Sequence, residues 1–158
     1  MAFSITYRLG LCLAITAALL PVLFAAAGEG KGDKPQHFTG KVVPLDRLLE
    51  KSSVRLDADA APSWYALAAD DGKIYPLVKD DGSRMFFKDD RLLNRPMRLT
   101  GQLVPGSQLL QVLEVHSLVE GKRHEVYYWC DVCAIKRYEK KICECCGGPM
   151  ELREEPVK

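Results

Sequence analysis

The chain carries almost no net charge: 22 Lys and Arg stand against 21 Asp and Glu. A general nucleic-acid binder needs a basic footprint that displaces counterions, and here the two signs are interleaved, so nucleic acid is not an expected partner. Histidine is scarce, with His37, His116 and His124 scattered along the chain, and each is read as a surface residue rather than a catalyst. There is no H-E-x-x-H, no Gly-rich phosphate loop, no G-x-S-x-G elbow and no internal repeat. Asp70, Asp71, Asp80 and Asp81 lack the spacing and closing Glu of an EF-hand, which leaves them as turn residues. Cys133 is followed by Ala134 rather than His, which excludes c-type haem attachment. With no catalytic motif, a non-enzymatic role is expected.

What is present begins with the N-terminus. Residues 1–27 hold one charged side chain, Arg8, then an apolar run ending in Ala25-Ala26-Ala27. A positive n-region, an apolar h-region and an A-x-A ending are the parts of a secretory signal peptide, so cleavage after Ala27 and export to the periplasm or cell envelope are expected. The alternative is a retained anchor, since about 18 apolar residues just span a bilayer; an uncleaved segment would then be the chain's contact with the membrane. Cys12 leaves with the signal, and bulky Leu11 before it argues against lipid attachment. Residues 28–36, "GEGKGDKPQ", read as a flexible linker. The remaining chain of about 130 residues suffices for one modest domain with an appendage.

"HFTGKVVPL" offers a short strand, and Leu45, Leu48 and Leu49 behind Pro44 suggest two helical turns. "WYALAADDGKIYPLVKDDGSRMFF" contains two Asp-Asp-Gly turns between apolar runs and reads as three strands joined by two hairpin turns. Pro76 lacks a ladder donor and marks an edge strand or a bulge. "KDDRLLNRP" is expected to form one or two helical turns. "MRLTGQLVPGSQLLQVLEVHSL" reads as a strand, a Pro-Gly turn and a second apolar run. The last run fits helix or strand, and the tight turn before it favours strand.

This order, over residues 37–118, resembles an OB-fold, a small five-stranded barrel with a helix between its third and fourth strands. Gly101 stands where such a barrel bends its strand. The resemblance implies a mainly β protein with one or two short helices. Trp64, Tyr65 and Tyr75 are then a candidate binding face, with Phe86 and Phe87 beside them; the competing reading is that these aromatics fill a small core. Residues 119–126 read as a linker.

The tail is the most specific region. "YYWCDVCAIKRYEKKICECCGGPMEL" holds the pairs Cys130/Cys133 and Cys143/Cys146, with Cys145 as an extra thiol. Tetrahedral Zn²⁺ takes four soft ligands, and two Cys-x-x-Cys pairs supply them. Residues 127–152 resemble the short zinc ribbons: an aromatic, C-x-x-C, about ten residues, then C-x-x-C-G and an aliphatic. The resemblance implies a knuckle hairpin over 127–153 with Cys130, Cys133, Cys143 and Cys146 as zinc ligands and Leu152 as the aliphatic. Residues 154–158 form a polar tail. Ala134 departs from the Gly usual after the first knuckle, and Cys145 leaves open a register using Cys143 and Cys145. Lys136, Arg137, Lys140 and Lys141 form either a basic loop that offsets four thiolates or a solvated hairpin.

Three other uses of these sulfurs stay open. Export favours disulfides, although five cysteines cannot all pair within one chain. Cys-x-x-Cys is also a thiol-exchange motif, but its usual βαβ setting is missing. Cys143, Cys145 and Cys146 with Met150 are soft donors suited to Cu(I). The reading that emerges is an exported binding or scaffold protein with a structural Zn(Cys)₄ site and an unidentified protein or small-molecule ligand. The alternative is an envelope protein that handles copper, zinc or thiols.

Overall fold

The computed structural model describes residues 34–157; the expected signal segment and most of the linker lie outside them. Strand β1, Gln36–Pro44, buries Phe38, Gly40 and Val42 and exposes the residues between them. That period of two is what a half-buried strand imposes. Pro44 ends the strand and starts a single short helix, α1, Leu45–Leu49, whose three leucines are only half-buried.

The first Asp-Asp-Gly makes the hairpin its sequence predicts. Strand β2, Tyr65–Ala69, pairs with β3, Ile74–Pro76, across a turn in which Gly72 has φ +83°. Strand β3 ends the path of paired strands, in keeping with Pro76.

The second Asp-Asp-Gly does something else. The Asp80 carboxylate accepts from the Gly82 and Ser83 amides at 3.2 and 3.3 Å, and the Ser83 hydroxyl donates to the Val78 carbonyl. The chain then winds into a 3-10 helix, Arg84–Phe87, that buries Met85 and Phe86. A strand was expected there. Gly82 serves close approach rather than a positive φ, since a Cβ on it would lie 1.8 Å from the Val112 carbonyl oxygen. A second 3-10 turn, Asp90–Leu92, is capped by the Asp89 side chain, which accepts from the Arg91 amide at 3.2 Å.

Strand β4, Pro96–Leu103, turns through Pro105-Gly106, with Gly106 at φ +73°, into β5, Leu110–Val119. The register shifts between Thr100 and Gly101, and Leu113 is the extra residue. The buried positions run Leu110, Val112, then Val115, Ser117: one phase before the bulge and the opposite phase after it. This slip is why the segment looks equally helical in sequence.

Residues 119–126, expected to be a linker, form a hairpin. Val119 pairs with Lys122 across Glu120 and Gly121, both with positive φ at 51° and 75°, as a two-residue I′ turn requires. Strand β6, Lys122–Cys130, follows directly, then β7, Ile135–Arg137, and β8, Glu151–Pro156. One edge of β6 serves β5 and then β7, and the other carries β8.

The architecture is an open, mainly antiparallel sheet of eight strands in the order β3-β2-β1-β4-β5-β6-β7, with β8 on β6. The expected closed barrel is not formed. Beyond β3 a single parallel bridge, Leu77 to Leu110, turns back to β5, and Gln111 adds a side-chain bond to Asp80 at 3.1 Å. One hydrophobic cluster runs through both halves, joining Phe38, Leu67 and Phe86 to Val126, Tyr128, Cys130, Cys143 and Met150. Polar pairs, one buried and one half-buried, fasten the halves together. The Tyr128 hydroxyl donates to Asp89 at 2.9 Å, and Arg95 holds Glu154 through two bonds of 2.8 and 2.7 Å.

Candidate metal centre

Alternation along β6 turns Val126, Tyr128 and Cys130 inward, so the register of one strand delivers the first thiol into the core. The chain then reverses over Asp131, Val132 and Cys133 and returns as β7, with Ile135 opposite Cys130. The Cys133 and Val132 amides lie near the Cys130 sulfur and act to lower its pKa. The second pair repeats this arrangement, with the Cys146 and Cys145 amides near the Cys143 sulfur. The turn is closed by Gly147 N–H on the Cys143 carbonyl and by Cys143 N–H on the Gly148 carbonyl, both at 2.8 Å. The residue after each pair is left-handed, Ala134 at φ 51° and Gly147 at φ 69°. Ala134 therefore adopts the glycine conformation despite its Cβ.

These two turns bring the sulfurs of Cys130, Cys133, Cys143 and Cys146 within 4.8 Å of one another. The Cys130 and Cys146 sulfurs are 3.6 Å apart. A tetrahedral ion with metal–sulfur bonds near 2.3 Å needs sulfurs about 3.8 Å apart, so the Cys130–Cys146 pair is already at bonding separation and only the wider pairs, none beyond 4.8 Å, have to close. The donor set and the paired left-handed residues both fit a four-thiolate metal ion. The four cysteines can hold a metal ion.

The site is asymmetric. Cys130 and Cys143 are buried, Cys133 is half-buried and Cys146 is exposed. As free thiols they are also unequal in acidity. The Cys146 amide, followed by that of Cys145, pulls the Cys143 pKa down to about 6. Cys133 is pushed up, first by the neighbouring Cys145 thiol and then by burial. The Cys133 amide lowers Cys130, but burial and the Cys143 and Cys146 thiols outweigh it, and its pKa rises. Four thiols this close cannot all ionise unaided; a divalent cation removes their mutual repulsion. Cys145 stands outside the four-sulfur group, exposed at the turn beside Cys133.

The basic spacer does not neutralise the sulfurs. Lys136 pairs with Glu125 at 2.9 Å, Lys140 lies 3.8 Å from buried Asp89, and Lys141 and Arg137 both reach Glu144, at 2.8 and 3.4 Å. Glu139 bonds Lys88 and Arg84 beside the first 3-10 helix. Each basic side chain of the spacer therefore faces a carboxylate: Glu125 on β6, Asp89 beside the second 3-10 turn, or Glu144 within the loop itself.

Trp64, Tyr65 and Tyr75 do not form one face. Tyr75 is buried edge-on against Phe38 at 5.0 Å, Tyr65 packs edge-on against Phe87 at 4.8 Å, and Trp64 is exposed. Two of the three are core-supporting residues, the reading that competed in the sequence. Met150 is buried in the shared core, away from the exposure of Cys145. Sequence reasoning missed Asp89, whose carboxyl Arg91 and Tyr128 hold down at about 2. An Asp in a DDR stretch gives no sign of burial until the fold packs Tyr128 against it. No protein-family model, curated protein or solved structure matches the chain.

Proposed function

We infer that this is an exported, non-enzymatic binding or scaffold protein whose Cys130, Cys133, Cys143 and Cys146 hold a structural zinc ion. The observation that carries this reading is the position of the centre: two of its four sulfurs belong to the hydrophobic cluster that spans the sheet. A metal there staples the β6–β7 turn to the loop before β8 against the shared core, and its binding energy becomes folding energy. Four thiolates in paired knuckles favour zinc over harder ions. Export rests on the residue pattern of the first 27 positions, and processing after Ala27 is tested by intact mass. The strand order and the Leu77–Leu110 bridge support an OB-like connectivity in β1 to β5, with the sheet left open.

The deciding experiment is metal analysis of protein purified from the envelope fraction, with thiol counting. One zinc per chain, and a single alkylated thiol until chelator is added, supports the reading. Protein without metal, and with one alkylated thiol whose count does not rise when chelator is added, would instead indicate disulfides. A second reading, a metal or thiol handler, is favoured by the exposure of Cys146 and Cys145. Exchange of the bound metal within seconds, rather than hours, would select it.

A further inference from the structure

The bulge in β5 opens a second site, remote in character from the sulfurs. Strand β5 pairs with β6 only as far as His116 opposite Glu125. Above that point the extra residue Leu113 lets β5 diverge, and Leu113 and Glu114 both face outward. A cleft of 740 Å³ fills the divergence, bounded by the 81–85 segment on one side and the end of β8 on the other. That volume lies within the range of small-molecule clefts, about 300–1,000 Å³.

The chemistry of its wall is one-sided. Met85, Leu113, Val115 and Pro156 supply an apolar surface, while Asp81, Glu114, Glu125 and Glu155 supply carboxylates, with no Lys or Arg in the lining. Asp81 is matched by Arg84 at 2.9 Å, and Glu125 by Lys136 and the Tyr138 hydroxyl at 2.9 and 2.7 Å. Glu114 and Glu155 have no ion-pair partner among the described residues. Burial holds the His116 pKa down against the opposing pull of Glu114, and Arg123 and Arg98 add to the shift. These carboxylates do not converge on a point: the four cysteines are the one group of three or more ligands close enough for a single ion among the described residues. Separated negative charges over an apolar floor match separated positive charges on an aliphatic chain.

We propose that this cleft binds a linear aliphatic polyamine, with its methylenes on the apolar floor and its ammonium groups at Glu114 and Glu155. The contact is rim-exposed, so each charge contributes modestly and salt weakens it. Calorimetry of the metal-loaded full mature chain with spermidine tests this, with butylamine, hexane-1,6-diol and Mg²⁺ as comparators. Spermidine is expected to saturate one site per chain, butylamine to bind more weakly and the diol not at all. Glu114→Gln and Glu155→Gln, both at exposed positions, should each weaken spermidine about fivefold with the fold unchanged by circular dichroism. Leu113→Ser should weaken it too; if that variant misfolds, the glutamine variants decide. Binding that survives the double glutamine variant, or that Mg²⁺ displaces charge for charge, overturns the proposal. So does binding of a lysine-rich peptide where spermidine shows none.

Discussion

Ala134 and Gly147 occupy equivalent left-handed positions, one with a Cβ and one without. A left-handed conformation costs a residue with a Cβ about 1–2 kcal/mol. Ala134→Gly should therefore stabilise the metal-loaded protein by about 1 kcal/mol. Gly147→Ala should cost a similar amount and no more, because no atom lies within 4 Å of the added Cβ. Denaturant unfolding of the two variants measures both. Among the sulfurs, Cys→Ser at 130, 133, 143 or 146 should reduce bound metal, while Cys145→Ser should keep it and remove the readily alkylated thiol. Loss of metal from Cys145→Ser with Cys146→Ser tolerated would mean the ion uses the other register.

Asp89 carries a pH dependence whose direction follows from its depressed pKa. The carboxyl sits at about 2 in the fold against an ordinary 3.8, mainly through the Arg91 side chain and next through Tyr128 against the opposing cost of burial. The unfolded chain thus binds this proton more readily, and the stability it confers is complete above pH 4 and lost as pH falls through 2. The shift corresponds to roughly 2 kcal/mol. Asp89→Asn should lower stability by about that much at pH 6, and the gap between the two proteins should close toward pH 2. A gap that stays constant over that range would remove Asp89 from the acid response.

At the scale of elements, strand β6 is the piece that changes the picture. Its residues Val126, Tyr128 and Cys130 lie in the same core as Phe86 and Leu99. A chain ending at Val119 would leave that core uncovered on the β6 side and remove the partner of Arg95, which is Glu154. Such a truncation should lose cooperative unfolding, whereas an independent barrel over residues 37–118 would retain it; calorimetry separates the two. The strands at β1, β2 and β4 were legible because alternation and turn chemistry agree there. The β5–β6 hairpin was not, because Glu120 rather than Asn or Asp precedes Gly121. The 3-10 helix at Arg84–Phe87 was hidden for a different reason. Its Asp-Asp-Gly is chemically a hairpin signal, but here the Asp80 and Ser83 side chains bond within the turn and Gly82 lies against the Val112 carbonyl.

For the whole molecule, a metal ion bound at Cys130, Cys133, Cys143 and Cys146 would make stability depend on metal concentration. Chelation should lower the melting temperature of one transition covering the entire described fold, and added zinc should raise it by mass action. Two separate transitions, with only the later one insensitive to chelator, would show the metal region melting alone. The two Cys-x-x-Cys pairs, the β character and the turn at Asp70 to Gly72 were legible in the sequence, because each depends on local spacing and backbone chemistry. Tertiary structure decided that the sheet stays open, that the aromatic candidates Tyr65 and Tyr75 pack inward, and that the basic spacer pairs with carboxylates. It also decided that the metal region shares one core with the rest. Those outcomes turn on which surfaces meet across strands far apart in the chain, and no local pattern records such a meeting.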